Sequence, residues 1–329
     1  MKDSYGRTID YMRISVTDRC NLRCRYCMPE GIETLPMREL LTFEEILQIV
    51  QAAVSLGITK IKITGGEPLV RKDIARLVGM IHAVEGVASV TMTTNGVLLR
   101  EHLEELVKNG LDAVNISLDT MNAAEYEQIT GRDELKNVLA GIEAAEKTGL
   151  KVKVNTVLWD NACRDELFPI LQLAKERNID VRYIELMPIG EGKMGKGISG
   201  EEWLHRLREQ YPALCEDDRV HGNGPAKYYR IPGFCGSVGF INAVHGKFCE
   251  SCNRIRLSST GQLKPCLCYG ETADLRKIVR QCNPPGNKKQ IQEALADAMA
   301  AAIREKPKAH CFEAQSEITE KKKMVSIGG

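Results

Sequence analysis

Three cysteines, Cys20, Cys24 and Cys27, stand at the spacing C-x3-C-x2-C within Cys20-Asn21-Leu22-Arg23-Cys24-Arg25-Tyr26-Cys27. Twelve cysteines in 329 residues do not reach that spacing by accident. Three thiolates close together can hold an iron–sulfur cluster or a zinc ion. A 4Fe–4S cluster with three cysteine ligands leaves one iron open to a small molecule. Electron-transfer clusters take four cysteines instead, and structural zinc sites favour paired C-x2-C. The spacing therefore predicts an open-site cluster, with zinc or uncommitted core thiols as the alternatives.

A second constellation lies late in the chain: Cys249-Glu250-Ser251-Cys252 and then Cys266. Here zinc is the stronger competitor, because C-x2-C is half of a common zinc site that Cys268 or His245 would complete. Arg254 and Arg256 follow at once. Residues two apart in a strand share a face, so both guanidiniums point together. Paired arginines beside a cluster suit a polyphosphate or a carboxylate. Cys163, Cys215, Cys235, Cys282 and Cys311 lack ligand spacing and read as buried or incidental.

The elements that position these groups alternate along the first part of the chain. Strand-like runs are 12–17, 60–64, 89–94, 113–118, 151–157 and 180–186, and amphipathic stretches at 43–56, 74–84, 101–109, 135–148 and 167–177 lie between them. Thr42 with Glu45 three residues on forms a capping box that starts the first helix. Six βα repeats imply a parallel sheet with helical crossovers, short of the eight units of a closed barrel. A doubly wound open sheet and a partial barrel both satisfy this pattern. In either α/β form, functional residues collect at the C-terminal ends of strands. Thr64–Pro68, Thr93–Gly96, Asn115–Asp119 and Glu185–Met187 fall there, with Lys153 and Asn155 on the fifth strand.

Composition changes after Pro188. Residues 190–200 are rich in glycine and lysine and read as a linker or mobile loop. A helix at 201–210, short strands near 227–231, 237–243 and 254–259, and helices at 274–281 and 290–304 follow. The expected division is 1–189, with the first cysteine set, and 190–329, a smaller α+β extension with the second.

The chain is 43% hydrophobic and 27% charged with a formal charge of +1. That predicts a globular soluble protein with no general attraction to nucleic acid or membrane. No apolar run reaches transmembrane length, and Met1-Lys2-Asp3-Ser4 is too polar for a signal peptide. Reduced thiols in a cytoplasmic metalloprotein are the expectation.

C-x3-C-x2-C with an aromatic before the last cysteine, followed by Thr64-Gly65-Gly66-Glu67-Pro68, resembles the radical S-adenosylmethionine (SAM) superfamily. The resemblance favours the partial (βα)6 TIM-type barrel. It narrows with Asp10–Cys20, Asn115–Asp119, Lys153–Val157, Phe248–Arg256 and the ending Ile327-Gly328-Gly329. Together these resemble the GTP 3′,8-cyclases that open molybdenum cofactor (molybdopterin) biosynthesis.

The resemblance implies two 4Fe–4S clusters, on Cys20, Cys24 and Cys27 and on Cys249, Cys252 and Cys266. It implies SAM contacts from Tyr26, Gly66, Ser117 and Met187, and GTP contacts from Arg13, Lys62, Thr93, Lys153, Arg254 and Arg256. A 5′-deoxyadenosyl radical would take hydrogen from ribose C3′, and the carbon radical would add to guanine C8. The product would be (8S)-3′,8-cyclo-7,8-dihydroguanosine 5′-triphosphate, passed to a cyclic pyranopterin monophosphate synthase. A flavodoxin or ferredoxin would supply electrons, Gly328 and Gly329 would enter the active site, and homodimerisation stays open. Lys62 departs from the arginine common in relatives, trading a bidentate fork for a point charge. The competing readings are a radical SAM enzyme with another substrate, such as a peptide or RNA, and a non-catalytic zinc module.

Overall fold

The computed structural model describes residues 1–28, 35–159, 167–195, 197–281 and 288–327. In chain order the elements are β1 (Tyr11–Ser15), α1 (Phe43–Ser55), β2 (Lys60–Thr64), α2 (Ile74–His82), β3 (Ser89–Thr94) and α3 (Leu99–Lys108). Then come β4 (Ala113–Ser117), α4 (Ala123–Thr130), α5 (Leu135–Lys147), β5 (Lys151–Leu158), α6 (Leu167–Glu176) and β6 (Asp180–Glu185). The later chain adds α7 (Gly200–Gln210), β7 (Cys215–Glu216), β8 (Lys227–Arg230), β9 (Val238–Ile241), β10 (Arg254–Leu257), β11 (Gln262–Lys264) and β12 (Ala273–Asp274). It ends in α8 (Leu275–Gln281), α9 (Lys288–Arg304) and α10 (Met324–Ile327).

All twelve strands form one sheet in the order β12-β11-β10-β1-β2-β3-β4-β5-β6-β9-β8-β7. The six βα strands are parallel and consecutive, as the alternation predicts. The extension adds a parallel strand to each flank, β10 beside β1 and β9 beside β6, and antiparallel strands finish both edges. The ends β12 and β7 do not pair, so the sheet is an open, partial barrel.

Strand alternation sorts the residues into two faces. Met12, Ile14, Ile61, Ile63, Val90, Met92, Val114, Ile116, Val154 and Val181 are fully buried and belong to one core cluster with the apolar sides of the helices. The opposite face carries Arg13, Lys62, Thr93, Asn115, Lys153 and Arg182. Arg13 is in register with Lys62, and Thr93 with Asn115 and Lys153, while Lys62 pairs with Thr91 and Arg182 with Asn155, each one same-face step away. Strands of a parallel sheet covered on both sides ordinarily read as continuous apolar runs. A polar inner row therefore marks a face built for something other than a second apolar core.

The capping box at Thr42 forms as expected: its hydroxyl accepts from Glu45 N–H at 3.2 Å, and the Glu45 carboxylate accepts from Thr42 N–H at 2.8 Å. At the end of β6, the buried Glu185 carboxylate accepts from the N–H groups of Gly200 (2.9 Å), Val244 (2.7 Å) and His245 (3.0 Å), tying the extension to the barrel. The stretch read as a linker is partly built. Gly190–Met194 forms a 3-10 turn, with Gly190 at φ 56° against the Lys323 backbone and Glu191 paired with Lys323 at 3.3 Å. The later chain returns to pack there, which local composition does not reveal.

Candidate active site

The first cysteine loop follows β1 and is pinned by three elements. Arg23 and Arg25 donate their backbone N–H groups to the carbonyls of Thr130 (2.7 Å) and Ile129 (3.0 Å), at the end of α4. The Tyr26 hydroxyl donates to Asp119 at 2.6 Å, and the same carboxylate accepts from Val157 N–H at 2.8 Å. Burial raises the Asp119 carboxyl to about 6. Asn95, just beyond β3, donates to Asn21 at 2.8 Å and toward the Cys20 sulfur at 3.8 Å. Leu22 N–H also faces that sulfur, at 3.4 Å.

Burial pushes all three thiols up, and the neighbouring cysteines add to it for Cys24 and Cys27, bringing Cys27 to about 12. Three thiolates that repel one another are stable only around a positive centre. The triad thus fits a cluster.

Gly65 and Gly66 end β2 against this loop. A Cβ on Gly66 would stand 2.3 Å from the Arg19 carbonyl oxygen, and one on Gly65 would stand 2.8 Å from that of Thr17. Gly66 N–H donates to Thr17 O at 2.7 Å, and Glu67 N–H to Arg19 O at 2.8 Å. Glycine is required here by backbone packed on backbone. Glu67 is buried, accepts from Thr94 hydroxyl, Asn95 N–H and Leu69 N–H, and is raised by burial to about 7. Ser117 ends β4 and Met187 lies two residues past β6, so the expected SAM contacts all occupy the rim that carries the cysteine loop.

Below the rim runs the cation row. Arg256 pairs with Arg13 and Arg13 with Lys62 across β10, β1 and β2, while Tyr11 pairs with Arg254. Thr93, Asn115 and Lys153 continue across β3, β4 and β5. Arg182, opposite Asn155 on β6, completes the row and donates to the Asn155 carbonyl at 2.9 Å.

Arg182 repels both Lys62 and Arg13. In a flat sheet β2 and β6 would lie about 19 Å apart. The sheet therefore curls, and the cations converge. Burial first, and neighbouring cations second, push Lys62 well down, Lys153 to about 8 and Arg256 to about 9. Thr93 Oγ1 and Arg254 Nε are buried without a hydrogen-bond partner among the described residues. Such an arrangement is made to receive a polyanion.

Arg182 escaped the reading of the sequence. The signal was present: in Asp180-Val181-Arg182-Tyr183 it keeps the same alternating phase as Lys153 in its own strand.

The second triad lies at the other end of the strands: Cys249 and Cys252 precede β10, which runs parallel to β1, and Cys266 follows the antiparallel β11. Burial first, and then Cys266 and Cys252, push the Cys249 thiol up, and His310 N–H donates to Cys249 sulfur at 3.4 Å. Against burial, Lys306 and then Arg254 draw the Cys252 thiol down, a setting suited to a metal-bound thiolate. The candidate fourth zinc ligands are engaged with other partners, although Cys268 lies in a cluster against which Cys266 packs. His245 Nδ1 faces Glu185 at 3.1 Å, and Cys268 sulfur touches Cys311 sulfur at 3.2 Å in a buried apolar cluster. Among the described residues no three His, Cys, Asp or Glu side chains gather closely enough for a single metal ion. Cys215 and Cys235 are exposed. Gly328 and Gly329, with Cys163 and Cys282, lie outside the described residues.

A family model described as the radical SAM superfamily matches residues 14–184, and one described as Molybdenum Cofactor Synthesis C matches residues 179–312. The chain is 42% identical over 330 residues to the GTP 3′,8-cyclase of Clostridium perfringens (strain 13 / Type A). It is 46% identical over 334 residues to that of Alkaliphilus oremlandii (strain OhILAs), and both alignments cover 100% of each chain. The crystal structure of Streptococcus suis SuiB bound to S-adenosylmethionine superposes at TM-score 0.65 and 13% identity, over 97% of this chain and 77% of that one, a likeness of fold alone. Full-length identity at this level, carried on a sheet that folds as the superfamily's does, makes the chain a member of the GTP 3′,8-cyclase family of radical SAM enzymes.

Proposed function

We propose that the inner cation row holds the triphosphate of GTP, and that the two cysteine triads carry one 4Fe–4S cluster each at opposite sides of the same cavity. The carrying observation is the single polar face on which Arg256, Arg13, Lys62, Lys153 and Arg182 meet, contributed by both the barrel and the extension. Five cations from five strands exceed what one carboxylate needs and match a polyphosphate.

Cys20, Cys24 and Cys27 would hold the first cluster, whose open iron would take SAM and whose role would be its reductive cleavage. The chain's own residues orient and enclose. Asp119 fixes Tyr26 beside the triad, and Gly66 lets the β2 end abut the loop. Thr93 and Arg254 offer buried polar atoms to the nucleotide. The proposed reaction joins ribose C3′ to guanine C8 of GTP, and the cyclised nucleotide goes to a cyclic pyranopterin monophosphate synthase. A flavodoxin or ferredoxin is the proposed reductant. α10 brings Ile327 into the buried cluster beside Met187, and the reading extends Gly328 and Gly329 into the cavity. No helix among the described residues is long and apolar enough to cross a membrane.

The test is anaerobic reconstitution with SAM, reductant and GTP, followed by assay of 5′-deoxyadenosine and of nucleotide products. Deoxyadenosine together with a cyclised GTP isomer is expected. Deoxyadenosine without a GTP-derived product would discard the substrate, and no cleavage by cluster-loaded protein would discard the radical reaction.

A further inference from the structure

The second triad is gripped by one short stretch after α9, Lys306-Pro307-Lys308-Ala309-His310. Lys306 is 3% exposed, and its ammonium donates to the Arg254 carbonyl at 2.9 Å and to the Pro265 carbonyl. The first acceptor lies two residues beyond Cys252, and the second immediately precedes Cys266. Against burial, the same ammonium draws the Cys252 thiol down. A lysine has three protons to give, and two of them go to the carbonyls beside Cys252 and Cys266.

Four residues on, His310 N–H faces the Cys249 sulfur. The stretch is itself anchored from the start of the chain. Arg7 donates to the carbonyls of Pro307 (2.7 Å), Lys308 (2.9 Å) and Cys249 (2.9 Å), and pairs with the buried Asp3 at 2.5 Å.

A buried lysine tied to carbonyls on both ligand-bearing segments holds its charge in place beside the triad. By contrast, the donors facing Cys20 sulfur in the first triad are neutral, a backbone N–H and the Asn95 amide. Fixed charge and hydrogen bonds to sulfur set cluster potentials, because the reduced cluster is the more negative form.

We infer that Lys306 is a positioning residue for the second cluster: its fixed charge joins the loop carrying Cys252 to the strand end carrying Cys266 and raises that cluster's reduction potential. The inference rests on the two-cluster reading above.

The experiment compares full-length wild type, K306M and K306R after anaerobic reconstitution. Iron and sulfide per chain are counted. Reduction of each cluster is then followed by electron paramagnetic resonance at set potentials, with SAM added to perturb and so identify the first cluster. In K306M the second cluster is expected to be lost, or to bind with a reduction equilibrium at least tenfold less favourable, about 59 mV lower for a one-electron couple. K306R should keep wild-type iron and lie within that tenfold of the wild-type potential. Wild-type iron and potential in K306M would overturn the inference, as would a K306R as deficient as K306M. Wild-type protein holding iron for one cluster only would overturn the two-cluster reading, and the inference with it.

Discussion

Lys62 shows what the site costs at the scale of one residue. It is 6% exposed, paired in the sheet with Arg13, and faced by Arg182 and Lys153 from strands beyond. A buried cation among cations destabilises the free protein and is held there by the rest of the fold. Lys62→Met should therefore stabilise nucleotide-free protein by about 0.5–2 kcal/mol, while weakening GTP binding tenfold or more. Calorimetric melting and equilibrium dialysis read the two effects separately. An unchanged affinity would take Lys62 out of the phosphate site, and a lower melting temperature would mean that its charge is compensated before substrate arrives.

The pH dependence follows from Lys153, held at about 8 against an ordinary 10.5. Between those values the unfolded chain keeps a proton that the folded one has released, so this group adds stability as pH rises through that window. Nucleotide affinity moves the opposite way, since phosphate needs the ammonium, and should fall from pH 8 upward. Single residues were unevenly legible. Cysteine spacing announces itself, whereas Arg182 and Lys306 are isolated cations whose importance lies in partners distant along the chain.

The meeting of β2 with the cysteine loop is a relation between elements. Gly66 lets two backbones touch, and what a methyl group would strike is the Arg19 carbonyl rather than a movable side chain. Gly66→Ala should push the loop from its seat, costing about 1–3 kcal/mol and lowering occupancy of the first cluster while the second stays loaded. Iron counts with the SAM-responsive resonance signal distinguish the two clusters. Full loading and an intact SAM response would show that the loop yields without harm.

The βα alternation was readable because each helix has an apolar stripe and each strand alternates at period two. α4 was not. It buries only Tyr126, Ile129 and Thr130, and its use lies in the carbonyls that hold Arg23 and Arg25. β7, β11 and β12 span two or three residues, too short for any period to register.

The whole molecule is one sheet to which the extension contributes at both flanks, a pairing of Arg13 with Arg256 that no local pattern discloses. The division at 189/190 marks where composition changes, yet the hydrogen bonds of β1 with β10 and of β6 with β9 cross it. Because the cations proposed to face the phosphates come from both sides of that division, GTP should stabilise the barrel and the extension together. At one hundred times its dissociation constant, GTP should add about 2.7 kcal/mol to unfolding, seen as one cooperative transition moved upward. Arg256→Ala removes a charge-assisted contact of about 1.5–3 kcal/mol, and should shrink that shift at the same GTP concentration. Two separable transitions, with GTP moving only one of them, would mean that the nucleotide contacts a single part and that the shared sheet does not couple them. One transition indifferent to GTP would place the polyanion site elsewhere, since cations buried at this cost must be relieved by the ligand they await.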